Sequence, residues 1–188
     1  MSESGGTEPT VLLVDDDPGI VEVYEAFLVD HYEVLTATSG AEGIERIDDR
    51  VDVALLDRRM PEMSGDELLG ELRARGHRIP VAMLTAVTPD SDIIELPFDD
   101  YLEKPIGGDE LRKQVAVLLN RGRFETKSRE FYRLASKKAT LEAEDSFTET
   151  SSESYDELVE RLAELRDDID DTLGEFFTED PEATLETL

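Results

Sequence analysis

The residue types best suited to chemistry stand next to short apolar runs. Asp15, Asp16 and Asp17 directly follow Thr10–Val14, Asp57 directly follows Val53–Leu56, Thr85 follows Pro80–Leu84, and Lys104 lies two residues past Asp100–Leu102. Carboxylates gathered in one place repel each other, and burial raises the cost. A divalent cation removes that conflict. The hard oxygens of Asp15, Asp16 and Asp57 suit Mg²⁺, which keeps waters and accepts phosphate oxygens. A carboxylate can also attack phosphorus itself to give an acyl phosphate. That reaction asks chiefly for charge neutralisation at the transferring group. Lys104 offers a positive charge, and the Thr85 hydroxyl offers a donor to a phosphate oxygen. Taken singly, these residues have plainer uses. Asp17 before Pro18 caps a helix, and Met60-Pro61 with Ser64-Gly65 is turn chemistry. Neither accounts for Asp57, which ends a run that is apolar at every position. His31 and His77 fall in loops and receive no role.

The elements that must position these groups alternate in period. Strand-like runs occur at Thr10–Val14, Glu33–Ala37, Val53–Leu56, Pro80–Leu84 and Asp100–Leu102. Between and after them lie stretches with apolar residues at helical spacing. These are Ile20–Leu28, Ala41–Ile47, Asp66–Leu72, Pro89–Leu96 and Gly107–Leu119. Alternation of this kind predicts an α/β fold, a five-stranded parallel sheet doubly wound with helices on both faces. In such sheets ligands bind outside the carboxyl ends of the strands. Asp15, Asp16, Asp57, Thr85 and Lys104 should therefore converge on one pocket.

Val14-Asp15-Asp16-Asp17, Leu56-Asp57-Arg58-Arg59-Met60-Pro61, Leu84-Thr85-Ala86 and Tyr101-Leu102-Glu103-Lys104-Pro105 together resemble the signature set of two-component response-regulator receiver domains. The resemblance covers roughly residues 9–120, with residues 1–8 read as a flexible N-terminus. It implies a CheY-like, flavodoxin-like fold and a histidine kinase as phosphoryl donor. It also implies a regulatory protein rather than an enzyme, one that promotes only its own phosphorylation and dephosphorylation. By resemblance, Asp57 is the phosphoacceptor and Asp16 a direct Mg²⁺ ligand. Asp15 is the second acidic partner, and Arg59 supplies a backbone carbonyl to the metal. Thr85 and Lys104 match the phosphate-sensing pair, Tyr101 the aromatic switch, and Lys104-Pro105 a cis peptide bond. Two departures stand out. Thr85 and Lys104 are 19 residues apart, about a helical turn less than the family's usual spacing, and Pro97-Phe98 replaces the usual Gly-Ala. Arg58 and Arg59 add bulk and charge beside the acceptor and are expected to alter acyl-phosphate lifetime.

Beyond about residue 120 the strand signal stops. Phe124, Phe131, Leu134 and Leu141, then Tyr155, Leu158, Leu162, Leu165, Ile169, Leu173 and Phe176, recur at helical spacing, with a polar loop between Glu142 and Ser154. This predicts two helices, as an antiparallel hairpin or part of a dimeric bundle, with fraying from Thr178. Phe131–Glu142 with the following helix resembles the HalX domain of haloarchaeal regulators, over roughly 121–185. The favoured output is protein interaction or homodimerisation through these helices. DNA binding by the basic stretch 112–138 is the alternative. That stretch holds nine basic residues against Glu125 and Glu130, but 139–188 holds 18 acidic residues against Arg161 and Arg166.

The chain of 188 residues carries a net charge of −28, which argues against general binding to polyanionic nucleic acid or membranes. Five lysines against 14 arginines, with acid spread over both halves, resemble the composition of halophilic archaeal proteins. No cysteine is present, so neither a disulfide nor a thiolate metal site is available. No apolar run is long enough to span a membrane, and residues 1–10 are unlike a signal peptide, which predicts a cytoplasmic protein.

Overall fold

The computed structural model describes residues 8–86, 98–143 and 153–179. The expected helix at Pro89–Leu96 and the Pro97 substitution fall outside them, as do residues 1–7 and most of the polar loop after Glu142. The chain divides into two compact units, Met1–Leu119 and Asn120–Leu188.

The first unit contains β1 (Thr10–Val14), α1 (Pro18–Leu28), β2 (Glu33–Ala37), α2 (Gly40–Arg46), β3 (Val51–Leu56), α3 (Gly65–Ala74), β4 (Val81–Thr85) and β5 (Asp100–Glu103). The start of α4 (Gly108–Glu142) belongs to it as well. All strand pairings are parallel, in the order β2-β1-β3-β4-β5. β1, β3 and β4 are buried on both faces, which is why they read as continuous apolar runs. Their alternate residues feed two cores. Leu13, Val53, Leu55 and Leu84 meet Val21, Leu28, Leu111 and Leu118 of α1 and α4. Leu12, Val14, Ala54 and Leu56 meet Leu68, Leu69 and Leu72 of α3. A one-residue slip of any central strand would exchange these faces.

Local chemistry sets the element ends. The Asp17 side chain caps α1, accepting from Gly19 N at 2.8 Å, and Pro18 occupies the first turn. Ser64 and Glu67 close a reciprocal capping box on α3. Several boundaries differ from the sequence reading by a residue or two. β3 begins two residues early, at Val51, where the register beside Thr10 is irregular and Asp52 accepts from Thr10 N at 2.8 Å. β4 begins at Val81 rather than Pro80, whose ring nitrogen has no proton to donate; its carbonyl still accepts from Ala54 N at 3.0 Å. The sequence leaves open whether the helix over Gly107–Leu119 continues past Gly122, and α4 runs unbroken from Gly108 to Glu142.

The second unit pairs the later part of α4 with α5 (Glu153–Glu179), which includes Thr178 within its span. Tyr155 donates to Glu142 at 2.6 Å, Arg161 pairs with Glu130 at 3.1 Å, and Lys127 with Asp168 at 3.2 Å. Partner numbers rise along α5 as they fall along α4, so the two helices are antiparallel. Tyr155, Leu165 and Thr172 are buried, whereas Phe124, Phe131, Leu162, Ile169 and Leu173 are only half-buried. Leu141 leaves the expected apolar stripe and is 40% exposed. Lys138 and Glu142 take the seam beside Tyr155, and a residue one step short of 142 points about 100° away.

Candidate functional site

Asp15 and Asp57 stand side by side because β1 and β3 are neighbours in register. Val14 pairs with Leu56, and Asp57 N donates to the Val14 carbonyl at 2.7 Å. Lys104 arrives from the edge strand. Its backbone N–H donates to the Thr85 carbonyl at 2.8 Å just past the β4–β5 pairing. From there its ammonium crosses the carboxyl edge of the sheet, donating to Asp15 Oδ2 and, at 2.7 Å, to Asp57 Oδ1. The remaining oxygens are held by backbone: Asp15 Oδ1 accepts from Asp17 N and Asp57 Oδ2 from Arg59 N, each at 3.0 Å. The side chains of Asp15, Asp57 and Lys104 are 2%, 8% and 9% exposed, so this is a desolvated ion cluster rather than a surface pair.

The electrostatics follow. Burial, with the neighbouring Asp15 charge, raises Asp57 above its ordinary value despite the Lys104 ammonium and the Arg59 N–H, which pull it down. Burial pushes Lys104 down, but its hydrogen bonds to Asp15 and Asp57 outweigh it and hold the amine above its ordinary value. Two carboxylates against one ammonium leave a negative charge in excess. That excess is what a hard divalent cation offsets, and Mg²⁺ needs only one or two carboxylates because it retains its waters. Among the described residues no three acidic, histidine or cysteine side chains form a complete cage. The donor set thus fits a largely hydrated ion.

The other expected residues lie at or beside the ends of these strands. Asp16 is exposed at the same turn, and Thr85 is buried at the end of β4. Tyr101 is half-buried, its ring 6.0 Å from that of Phe98. The Lys104–Pro105 bond is cis. The two arginines diverge: Arg59 is exposed, whereas Arg58 is buried and turns to Asp66 in the first turn of α3, at 3.1 Å.

The loop after Asp57 contains contacts the sequence reading did not reveal. Gly65 N donates to the Arg58 carbonyl at 3.0 Å, and a Cβ at Gly65 would lie 2.3 Å from the Asp57 carbonyl oxygen. Only glycine permits that approach. Glu62, at φ 65°, occupies the left-handed region in the same loop. Ser64-Gly65 reads in sequence as an ordinary turn, and the one available signal was its distance of eight residues from Asp57.

An acidic pair on adjacent strand ends, clasped by a lysine from the edge of a parallel β2-β1-β3-β4-β5 sheet, defines a receiver-type signalling module. The response regulator receiver domain family matches residues 11–116, and the HalX domain matches 120–185. The chain belongs to the response regulator receiver family of two-component systems, with a HalX domain following. A Haloferax volcanii protein provisionally named a transcriptional regulator is 43% identical over 165 residues, covering 87% of this chain and 28% of that protein. The transcriptional regulatory protein CpxR of Klebsiella pneumoniae is 38% identical over 118 residues, 61% of this chain and 50% of its own. The chain thus spans half or less of these relatives. The response regulator TrrA of Thermotoga maritima, solved in complex with Mg²⁺-BeF, superposes with a TM-score of 0.52 at 32% identity, covering 59% of this chain and 99% of its own. No helix among the described residues is long and apolar enough to cross a membrane.

Proposed function

We propose that Asp57 accepts a phosphoryl group from the phosphohistidine of a histidine kinase, and that the helical tail carries the signal onward. The observation that carries this reading is the clasp of Lys104 on Asp57 and Asp15 at the carboxyl edge of the sheet. An Asp57 carboxylate oxygen forms a bond to phosphorus as the donor's P–N bond breaks. The bonding pair leaves with the histidine nitrogen, which takes up a proton. Mg²⁺ bound by Asp15, Asp16, Asp57 and the Arg59 carbonyl would supply charge neutralisation. Lys104 is placed to exchange a carboxylate for a phosphoryl oxygen, and the Thr85 hydroxyl to donate to another. Those contacts exist in only one arrangement of the loops. Phosphorylation therefore shifts the population toward that arrangement, with Tyr101 as the switch aromatic. The cellular setting consistent with this reading is the cytoplasm of a salt-loving archaeon, as the acidic composition and the Haloferax relative suggest.

The test is uptake of beryllofluoride or of phosphoryl from acetyl phosphate, with Mg²⁺ in molar KCl, read by intact mass. The parent should take one adduct and Asp57→Asn none. No uptake by the parent would sink the reading.

For the output we favour self-association or protein contact over DNA. The names of the relatives favour a role in transcription, which either route could serve. Within α4, however, Arg112, Arg121, Lys127 and Lys138 each pair with an acid of this chain. Phosphate contacts are also strongly penalised by salt. Gel-shift in molar KCl that withstands competitor DNA would reverse that preference.

A further inference from the structure

We propose that the hairpin of the second unit is half of a two-fold symmetric interface, and that a second copy of this chain docks on one flank of it with Arg166 of each copy meeting Asp170 of the other. The flank carries a cleft of about 190 Å³. Phe124 and Phe131 of α4 and Ile169 and Leu173 of α5 line it, all only half-buried. Two antiparallel helices can cover their apolar stripes on one side only; bundles finish the core with further helices. At the edge of the cleft Tyr132 is 71% exposed, its ring edge-on to Phe131 with centroids 6.0 Å apart. An exposed aromatic beside an apolar cleft is the composition of an interface centre.

The charges select the occupant. Among the described residues, α5 has two basic side chains, Arg161 and Arg166. Arg161 is held by Glu130 and Glu164. Arg166, on the cleft, makes no ion pair with any described residue, and neither does Asp170, one turn further along the same edge. An anionic ligand would meet Asp170, and a cationic one would meet Arg166. A copy of the same helix running antiparallel about an axis near residue 168 satisfies both at once, because a two-fold contact pairs residue i with j and j with i. The apolar flank supplies most of the attraction in molar salt, where exposed ion pairs are screened. The Arg166–Asp170 pairs fix the register.

This inference deepens the reading of the tail as a self-association module and is independent of the phosphoryl chemistry. Asp57→Asn should dimerise like the parent, so the two can fail separately. The experiment is sedimentation equilibrium of the full chain in molar KCl, with helicity checked by circular dichroism. The parent should be a dimer. Arg166→Asp and Asp170→Arg should each weaken association about tenfold, since each places two like-charge contacts across the axis. The double exchange Arg166→Asp with Asp170→Arg should restore the parent's affinity. A parent monomeric throughout overturns the proposal, as do single variants that associate as the parent does or a double variant that fails to recover.

Discussion

At the residue scale, Lys104 does more than add a charge to the site. It holds two buried carboxylates on neighbouring strands, and without it each would face the other across a desolvated gap. Lys104→Met, which keeps the length of the side chain, should therefore lower unfolding free energy by roughly 3 kcal/mol in Mg²⁺-free molar KCl. Denaturant titration checks this, and an unchanged midpoint would mean that the cluster is open to water. Arg58 and Arg59, adjacent in sequence and alike in chemistry, have different surroundings. Arg58 secures the acceptor loop to α3 through Asp66, while Arg59 lies in solvent and gives the acceptor only its backbone N–H. No property of an Arg-Arg pair announces that division.

At the scale of elements, α3 positions the loop that follows Asp57. Its capping box supplies two side-chain-to-backbone bonds, Glu67 N to Ser64 Oγ at 3.2 Å and Ser64 N to Glu67 Oε2 at 2.9 Å. The bonds from Ser64 hold the Glu67 carboxyl below its ordinary value of 4.5. A group depressed on folding stabilises the fold fully above its unfolded value, and that contribution disappears as pH falls through the folded one. Glu67→Gln retains a capping geometry but cannot titrate. It should lower stability slightly at neutral pH, where the ionised carboxyl contributes, and converge on the parent as pH falls below 4.5, giving a flatter acid limb. Thermal melts of parent and variant across that range test this, and parallel acid limbs would rule it out. Here the sequence was informative: Ser64-Gly65-Asp66-Glu67 before an apolar-periodic run contains the box in its spacing. The close approach of Gly65 to the Asp57 carbonyl was not legible, because it depends on how the loop folds back.

At the scale of the molecule, a net charge of −28 sets the terms of stability. Among the described residues most surface ion pairs are short-range local pairs, such as Glu42–Arg46 and Glu71–Arg75, and such pairs contribute little. They cannot offset repulsion summed over the chain, whereas salt at molar concentration screens it within about 3 Å. Raising KCl from dilute buffer to molar strength should lift the melting midpoint by more than about 10 °C, the equivalent of a few kcal/mol for domains of this size. A midpoint that falls or stays flat would contradict the halophilic reading.

The sequence alone determined the five strands and their order along the chain, and the identity of the polar groups at their ends. Period and apolar runs are local properties, and burial on both faces leaves its mark on β1, β4 and the Val53–Leu56 part of β3. The strand-end rule then placed Asp15, Asp57 and Lys104 together before any contact was known. Tertiary structure decided what locality cannot encode. It set Lys104 across three strands onto two carboxylates, turned Arg58 to Asp66, and pressed Gly65 against the Asp57 backbone. It carried α4 through Gly122, since a single glycine costs a helix only about 1 kcal/mol and the surrounding turns outweigh it. It also left one flank of the hairpin uncovered, a property of how two helices pair rather than of either sequence stripe.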